Sequence, residues 1–213
     1  MNPTGTSLIR LLTWLSPAFP TGGFAYSHGL EWAIEAGDVT DRASLVAWLS
    51  DLIAHGSLWT DAILLRHACR ADDHPALADF AYACAASRER AEEMRAQGAA
   101  FGRAVAVWQP DAPAAWPLSV ALGHALRREG IDEDAGCLAA LHASAAAMVS
   151  AAVRLVPLGQ TDGLRALAAL EPVLAQAARA SRDATLDDVG GMCLRSDIAA
   201  MRHETQATRL FRT

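Results

Sequence analysis

The chain of 213 residues predicts an all-α fold, an antiparallel bundle of about ten helices forming a single domain over 1–213. Three observations lead there. Apolar residues recur at i, i+3, i+4 and i+7 in segment after segment, which places them on one face of a helix. No segment alternates apolar and polar residues as a half-buried strand would. The connections between periodic segments are short, as antiparallel helical neighbours require. Composition agrees, because 52% apolar against 20% charged residues supports a sizeable core and argues against disorder.

Leu8, Leu11, Leu12 and Leu15 form the first stripe, which Pro17 stops. A second helix follows the irregular stretch 13–31, capped by Thr21 or Ser27 and closed at Gly37. Thr40 or Asp41 opens the third, with Leu45, Trp48, Leu49, Leu52 and Ile53 inward and His55-Gly56 at its end. Leu58, Ala62, Leu65 and Cys69 line the fourth, which the polar run Asp72-Asp73-His74-Pro75 ends. Pro75 suits the first turn of a fifth, whose inward residues are Leu77, Phe80, Ala81 and Cys84. Ser87 opens the longest segment. Its charged beginning, 88–95, reads as a solvated face with both signs present, and Met94, Gly98, Phe101, Val105 and Trp108 set its seam. Gly98 and Gly102 each cost about 1 kcal/mol against alanine in a helix, which predicts close approach by another helix or a break. Three prolines make 109–117 the strongest interior boundary. Residues 118–128 form a short helix. The long alanine-rich helix 132–156 has Leu138, Leu141, Ala145, Met148, Ala152 and Leu155 on its seam. Segments 164–170 and 172–180 read as two separate helices, 185–196 as a loop, and 197–206 as the last helix.

Several functions are excluded at this level. A net charge of −6 with no basic run argues against a nucleic-acid partner. The one long uncharged apolar run, 138–153, has small side chains and ends at Arg154, which suits a buried helix and not a membrane span. Arg10 interrupts the apolar N-terminus, unlike a signal peptide. Cys69, Cys84, Cys137 and Cys193 lack C-x-x-C pairing and read as buried free thiols of a reducing compartment, the cytoplasm. No catalytic residue is assigned. Ser27-His28 lies outside any G-x-S-x-G elbow, and His203-Glu204 lacks the second histidine of H-E-x-x-H. Asp72-Asp73 leads into His74-Pro75 and reads as a solvated inter-helix loop. The seven histidines are scattered singly, so no metal site is assigned either.

Three stretches invite a binding role. In TWLSPAFPTGGFAYSHGLE, 13–31, Pro17 and Pro20 favour extended backbone before them, and Gly22-Gly23 opens dihedrals closed to other residues. Phe19, Phe24 and Tyr26 would each forfeit about 1.5–3 kcal/mol in water. The stretch therefore either folds over its own core or forms a shaped surface for another macromolecule. Arg154 stands in the last turn of the long helix, where the dipole favours a cation; it either caps that helix or belongs to a loop aimed at a partner. Leu210-Phe211, flanked by Arg209 and Arg212, either docks on its own bundle or is a peptide arm ordered by a partner, the preferred reading.

SPAFPTGGFAYSHGLE at 16–31, AAVRLVPLGQ at 151–160 and SDIAAMRHETQATRLFR at 196–212 resemble, in that order, the signatures of the urease accessory protein F family, UreF. The resemblance implies a non-enzymatic all-α accessory factor, homodimeric, that promotes nickel insertion into apo-urease. It implies binding to a second accessory protein, D or H, and recruitment of the G-family GTPase by that pair. By position, Pro17, Phe19, Gly22, Phe24, Tyr26 and Glu31 would shape core and interface. Arg154, Pro157, Gly159 and Gln160 would lie near the GTPase-facing side. His203, Glu204, Arg209, Leu210, Phe211 and Arg212, in a tail from about 196, would meet the D/H partner. The resemblance implies no cofactor on this chain: nickel would be in transit, with GTP and magnesium on the partner GTPase. The alternative is a direct regulator of that GTPase which supplies an arginine, Arg154 or an exposed helix arginine, to the bound nucleotide.

Overall fold

A computed structural model describes residues 5–113 and 115–213. Its regular elements are α1 Gly5–Trp14, α2 Leu30–Glu35, α3 Arg42–His55, α4 Ser57–Arg70, α5 His74–Ala83, α6 Arg88–Val105, α7 Leu118–Arg128, α8 Glu133–Leu155, α9 Gln160–Ala180 and α10 Leu194–His203. Single 3-10 turns cover Gly23–Ala25 and Leu186–Asp188, and no strand occurs among the described residues. The fold is all-α.

Side-chain caps set four of the helix starts. Asp41 accepts from the Ser44 amide at 2.8 Å, and Ser44 Oγ accepts from the Asp41 amide at 3.1 Å, a reciprocal cap on α3. Asp73, Ser87 and Asp132 cap α5, α6 and α8 in the same one-sided way, each cap contributing about 1 kcal/mol. Gly29, not Thr21 or Ser27, is the N-cap of α2; Ser27 Oγ still accepts the Glu31 amide at 3.2 Å.

α4 is the centre. Leu58, Ala62, Ile63, Leu64, Leu65 and Ala68 are buried, and α3, α5, α7, α8 and α9 all pack on it. Arg66 lies among these apolar side chains at 1% exposure. Its guanidinium donates to Ser181 Oγ at 2.8 Å, the Ala178 carbonyl at 2.5 Å and Glu133 at 2.6 Å, and pairs with Asp134 at 2.9 Å. Every side of the charge is matched, and α4 is tied to the start of α8 and the end of α9.

Several expectations change. On α1, Leu11 and Trp14 face inward while Leu8 and Leu12 are exposed; the larger Trp14 ring turns the helix by meeting Phe101 and Trp108 edge-on at 6.1 and 6.0 Å. Phe19 completes this aromatic nest, 5.7 Å from Phe101. On α6 the charged start is a solvated face only in part: Arg88, Glu92 and Arg95 are exposed, but Glu89 and Glu93 are buried. Gly98 meets the start of another helix, α7: a Cβ there would lie 1.8 Å from the Trp116 carbonyl oxygen and 3.0 Å from the Leu118 amide nitrogen. The α8 seam runs through Cys137, Leu141, Ala145, Met148 and Ala152, with Leu138 exposed. α9 is one helix that contains Pro172. Pro172 and Ala168 are both exposed, so the carbonyl deprived of its amide donor faces water. Only Cys137 is buried; Cys69, Cys84 and Cys193 are half-buried, and all four are free thiols. α8 is the one helix among the described residues long and apolar enough to cross a membrane, and its seam is packed against α4 and α9.

Candidate functional site

Three parts of the chain, remote in sequence, meet in one place: the turn before α2, the first half of α6 and the tail after α10. The turn bends sharply. Gly22 is left-handed at φ 74°, and His28 at φ 54° is the one non-glycine residue with positive φ among those described. That conformation costs His28 roughly 1–2 kcal/mol. Gly29 follows at φ 76°, where an added Cβ would lie 2.6 Å from the Ala200 amide nitrogen, so the α10 backbone lies directly on it.

Two buried groups of charges sit beneath the tail. In one, His203, with no exposed surface, lies between Glu89 (Nδ1 to Oε2, 2.7 Å) and Glu31 (Nε2 to Oε2, 3.2 Å). Glu31 also accepts the amides of Leu210 at 2.7 Å and Phe211 at 2.9 Å, and Glu89 accepts Arg209 at 2.6 Å. In the other, the wholly buried Glu93 side chain accepts from His28 at 2.9 Å, Gln97 at 2.6 Å and Arg90 at 3.2 Å, and from Thr213 Oγ1 at 3.4 Å. Arg90 reaches Asp61 at 2.5 Å as well. Burial alone would push the Glu93 carboxyl up; the charges of His28 and Arg90 outweigh it and hold the group at about 2. Each group contains two carboxylates, one arginine and one histidine. With both imidazoles protonated each is neutral, the condition under which charges tolerate burial.

The tail is bound through its backbone too. Ser27 donates from both amide, at 2.9 Å, and hydroxyl to the Thr213 backbone oxygen, and the Arg212 amide donates to the Ala25 carbonyl at 2.8 Å. The Phe211 ring, 5% exposed, lies under the Arg154 guanidinium at 4.5 Å. Arg154 donates in addition to the Phe24 carbonyl at 3.0 Å and the Ser150 carbonyl at 3.2 Å.

Of the residues singled out in the sequence, the fold gathers Glu31, Arg154, His203, Arg209, Leu210 and Phe211 here, with the Phe24 backbone. The expectation of a partner-ordered arm is corrected: the tail is docked on its own bundle, because Glu31 and Glu89 supply its missing acceptors. Phe211 is therefore internal, as are Tyr26 and, in the aromatic nest, Phe19. Glu204 accepts the Arg88 amide at 2.9 Å on the rim. Pro17 is exposed, and Pro157 and Gly159 in the α8–α9 connection and Gln160 at the start of α9 are exposed and make none of these bonds. Turned outward are Phe24 at 72%, Leu210 at 75%, Arg212, and the α10 residues Leu194, Ile198 and Met201. Sequence reasoning missed Asp61, Glu89, Arg90, Glu93, Gln97 and Thr213. A signal was present: the seam holding Phe101 extends backward in steps of four through Gln97, Glu93 and Glu89.

Ser27 is bonded to Thr213 and His28 to Glu93, so the two form no nucleophile–base pair. Among the described residues no three His, Cys, Asp or Glu side chains are placed to hold a metal ion. Burial pushes the Cys69 thiol up to about 12, which leaves it inert as a nucleophile.

A family model described as UreF matches residues 39–171, a span of central helices outside both the turn and the tail. A urease accessory protein UreF from Cereibacter sphaeroides (strain KD131 / KCTC 12085) is 54% identical over 207 residues, covering 97% of this chain and 99% of that protein. A protein of the same name from Rhodopseudomonas palustris (strain HaA2) is 50% identical over 227 residues, covering 98% and 94%. Another, from Bradyrhizobium sp. (strain BTAi1 / ATCC BAA-1182), is 48% identical, covering 97% and 92%.

Proposed function

Because the chain belongs to the UreF family of urease accessory proteins, we propose that it serves urease maturation as a non-enzymatic scaffold. With the D/H accessory protein and the G-family GTPase it promotes nickel insertion into apo-urease. It acts as a homodimer in the cytoplasm, engages neither nucleic acid nor membrane, and has no cofactor of its own. Nickel passes through the complex, and GTP with its magnesium stays on the GTPase.

One observation supports this reading above others. Buried charges hold the tail against the turn, the exposed Arg154 ties the end of α8 to both, and the surface they form turns Phe24 and Leu210 outward. Exposed apolar side chains beside arginines are typical anchors of protein interfaces. The D/H partner meets Leu210, Arg212 and the outer face of α10, while 157–160 faces the GTPase. Each stable contact buries at least about 1,000 Å².

Phe24→Asp and Leu210→Asp test it, since both side chains are already in water. Circular dichroism and melting should stay unchanged, while light scattering with the D/H partner shows at least about a tenfold weaker complex, or about 1.4 kcal/mol. An undiminished complex rejects the surface. The GTPase-regulator alternative has less support, because Arg154 is already held by two carbonyls and the Phe211 ring. Single-turnover GTP hydrolysis should proceed no faster with this chain present; acceleration would restore that alternative.

A further inference from the structure

We propose that His74, His124 and Trp116 form an acid-sensitive clasp that fixes the lead-in to α7, residues 115–117, and opens when His124 takes up a proton. In the sequence the three rings stand far apart; the fold brings them together. The His74 ring, at the start of α5, stacks on the Trp116 indole with centroids 5.1 Å apart and planes 10° apart. His124, on α7, stands edge-on to both, at 4.6 and 5.2 Å.

One nitrogen in the cluster has no choice of role. The Ala68 carbonyl lies in the last turn of α4, where helix carbonyls lose their amide donors, and His74 Nε2 meets it at 2.9 Å. A carbonyl oxygen carries no hydrogen, so it can only accept, and that nitrogen bears an N–H whatever the charge of its ring. His124 Nδ1 lies 3.4 Å from the same nitrogen. It therefore faces an N–H and presents its lone pair, which makes His124 the neutral Nε2–H tautomer. A further proton can go only to Nδ1, and two N–H groups then point at each other. His74 is 7% exposed and held by the carbonyl, whereas His124 is half-buried, so His124 is the ring that turns away.

The surroundings do not welcome the charge. Arg127 and Arg128 follow on α7, paired with Asp72 at 3.2 Å and Asp111 at 2.7 Å, and Asp73 is occupied in capping α5. On α4 the Cys69 thiol, pushed up to about 12, stays neutral and donates to the Gly123 carbonyl. Tyr82 of α5 lies under Arg95 of α6 and donates to the Ala115 carbonyl at 3.0 Å. Burial, then His74 and Arg128, hold His124 below the usual histidine value of 6.5 against the pull of Asp111. A histidine lowered on folding contributes stability above its unfolded value and loses it as pH falls through its folded one. The clasp is thus closed at neutral pH and opens on acidification. Opening strips an edge contact from Trp116, whose carbonyl is pressed against Gly98, so the join of α6 to α7 loosens. This is a property of the chain alone and does not rest on the scaffold reading.

The test uses the full-length chain without any partner. Imidazole nitrogen shifts and the indole N–H resonances are followed by NMR from pH about 7.5 to about 5. At the upper end His124 should be the Nε2–H tautomer, and it should gain its second proton at lower pH than an ordinary histidine. As it does, the Trp116 indole resonance should move at least about threefold further than any other indole. In His124→Gln, which can accept from His74 but cannot titrate, the Trp116 step should vanish. A step that persists there belongs to another group and overturns the clasp. So does a His124 ring protonated at Nδ1 at neutral pH, or a Trp116 signal that stays still while His124 titrates. These last two outcomes need only the unsubstituted chain, so they decide the matter even if the variant fails to fold.

Discussion

At the scale of single residues, a carboxylate closed off from water persists only beside matched countercharges, and Glu93 makes the dependence measurable. Its ordinary value of 4.5 falls to about 2 in the fold. A group whose value is depressed on folding contributes stability above its unfolded value and loses it as pH falls. The expected contribution is roughly 3 kcal/mol at neutral pH, draining away between pH about 4.5 and about 2. Urea unfolding across that window should show the slope, and Glu93→Gln should flatten it while destabilising the neutral protein. Gly29 offers a second case. Gly29→Ala would press a Cβ onto the Ala200 amide at a left-handed position, so α10 must shift. We expect a loss of about 1–3 kcal/mol and weakened protection of the tail amides, with α3 and α4 unaffected.

At the scale of elements, legibility followed the simplicity of the environment. The α3 stripe from Leu45 to Ile53 is buried as its period predicts, Asp41 caps it, and α7 spans 118–128 as read. These helices show one apolar face to one core. The misreadings share a different cause. Glu89 and Glu93 look solvated because charge is normally surface; Arg90 stands beside them on α6, but nothing local reveals that His28 and Arg209 will arrive from distant parts of the chain to complete the neutralisation. Arg66 escaped notice for the same reason. Pro172 reads as a break because it removes a hydrogen bond, yet α9 persists where its exposed side lets water replace that bond and its other side packs on α3 and α8. Pro172→Ala should therefore stabilise the chain. About 3 kcal/mol of helix propensity is regained, less about 1 kcal/mol for the freer unfolded chain, giving roughly 2 kcal/mol by chemical denaturation. The three signature stretches were legible as important; that their role begins with holding one another was not, because their bonds span well over a hundred residues of sequence.

At the scale of the whole molecule, charge is unevenly distributed. The chain is at −6, but residues 190–213 hold Arg195, Arg202, Arg209 and Arg212 against two acids, Asp197 and Glu204. A basic segment on an acidic body favours a partner with carboxylates around its docking surface. Association with the proposed D/H partner should then slow several-fold as salt rises from about 0.05 to about 0.5 M, with dissociation much less affected. Stopped-flow mixing reads both rates.

The aromatic nest of Trp14, Phe19, Phe101 and Trp108 has a practical consequence. The Trp108 indole lies against Phe19, the ring that anchors the bend preceding α2, and Trp14 lies against Trp108 in turn, so any loosening of that bend moistens this pair. The chain thus contains a native dye: a red shift in tryptophan emission would announce, without label or partner, that the bend had come away from the bundle.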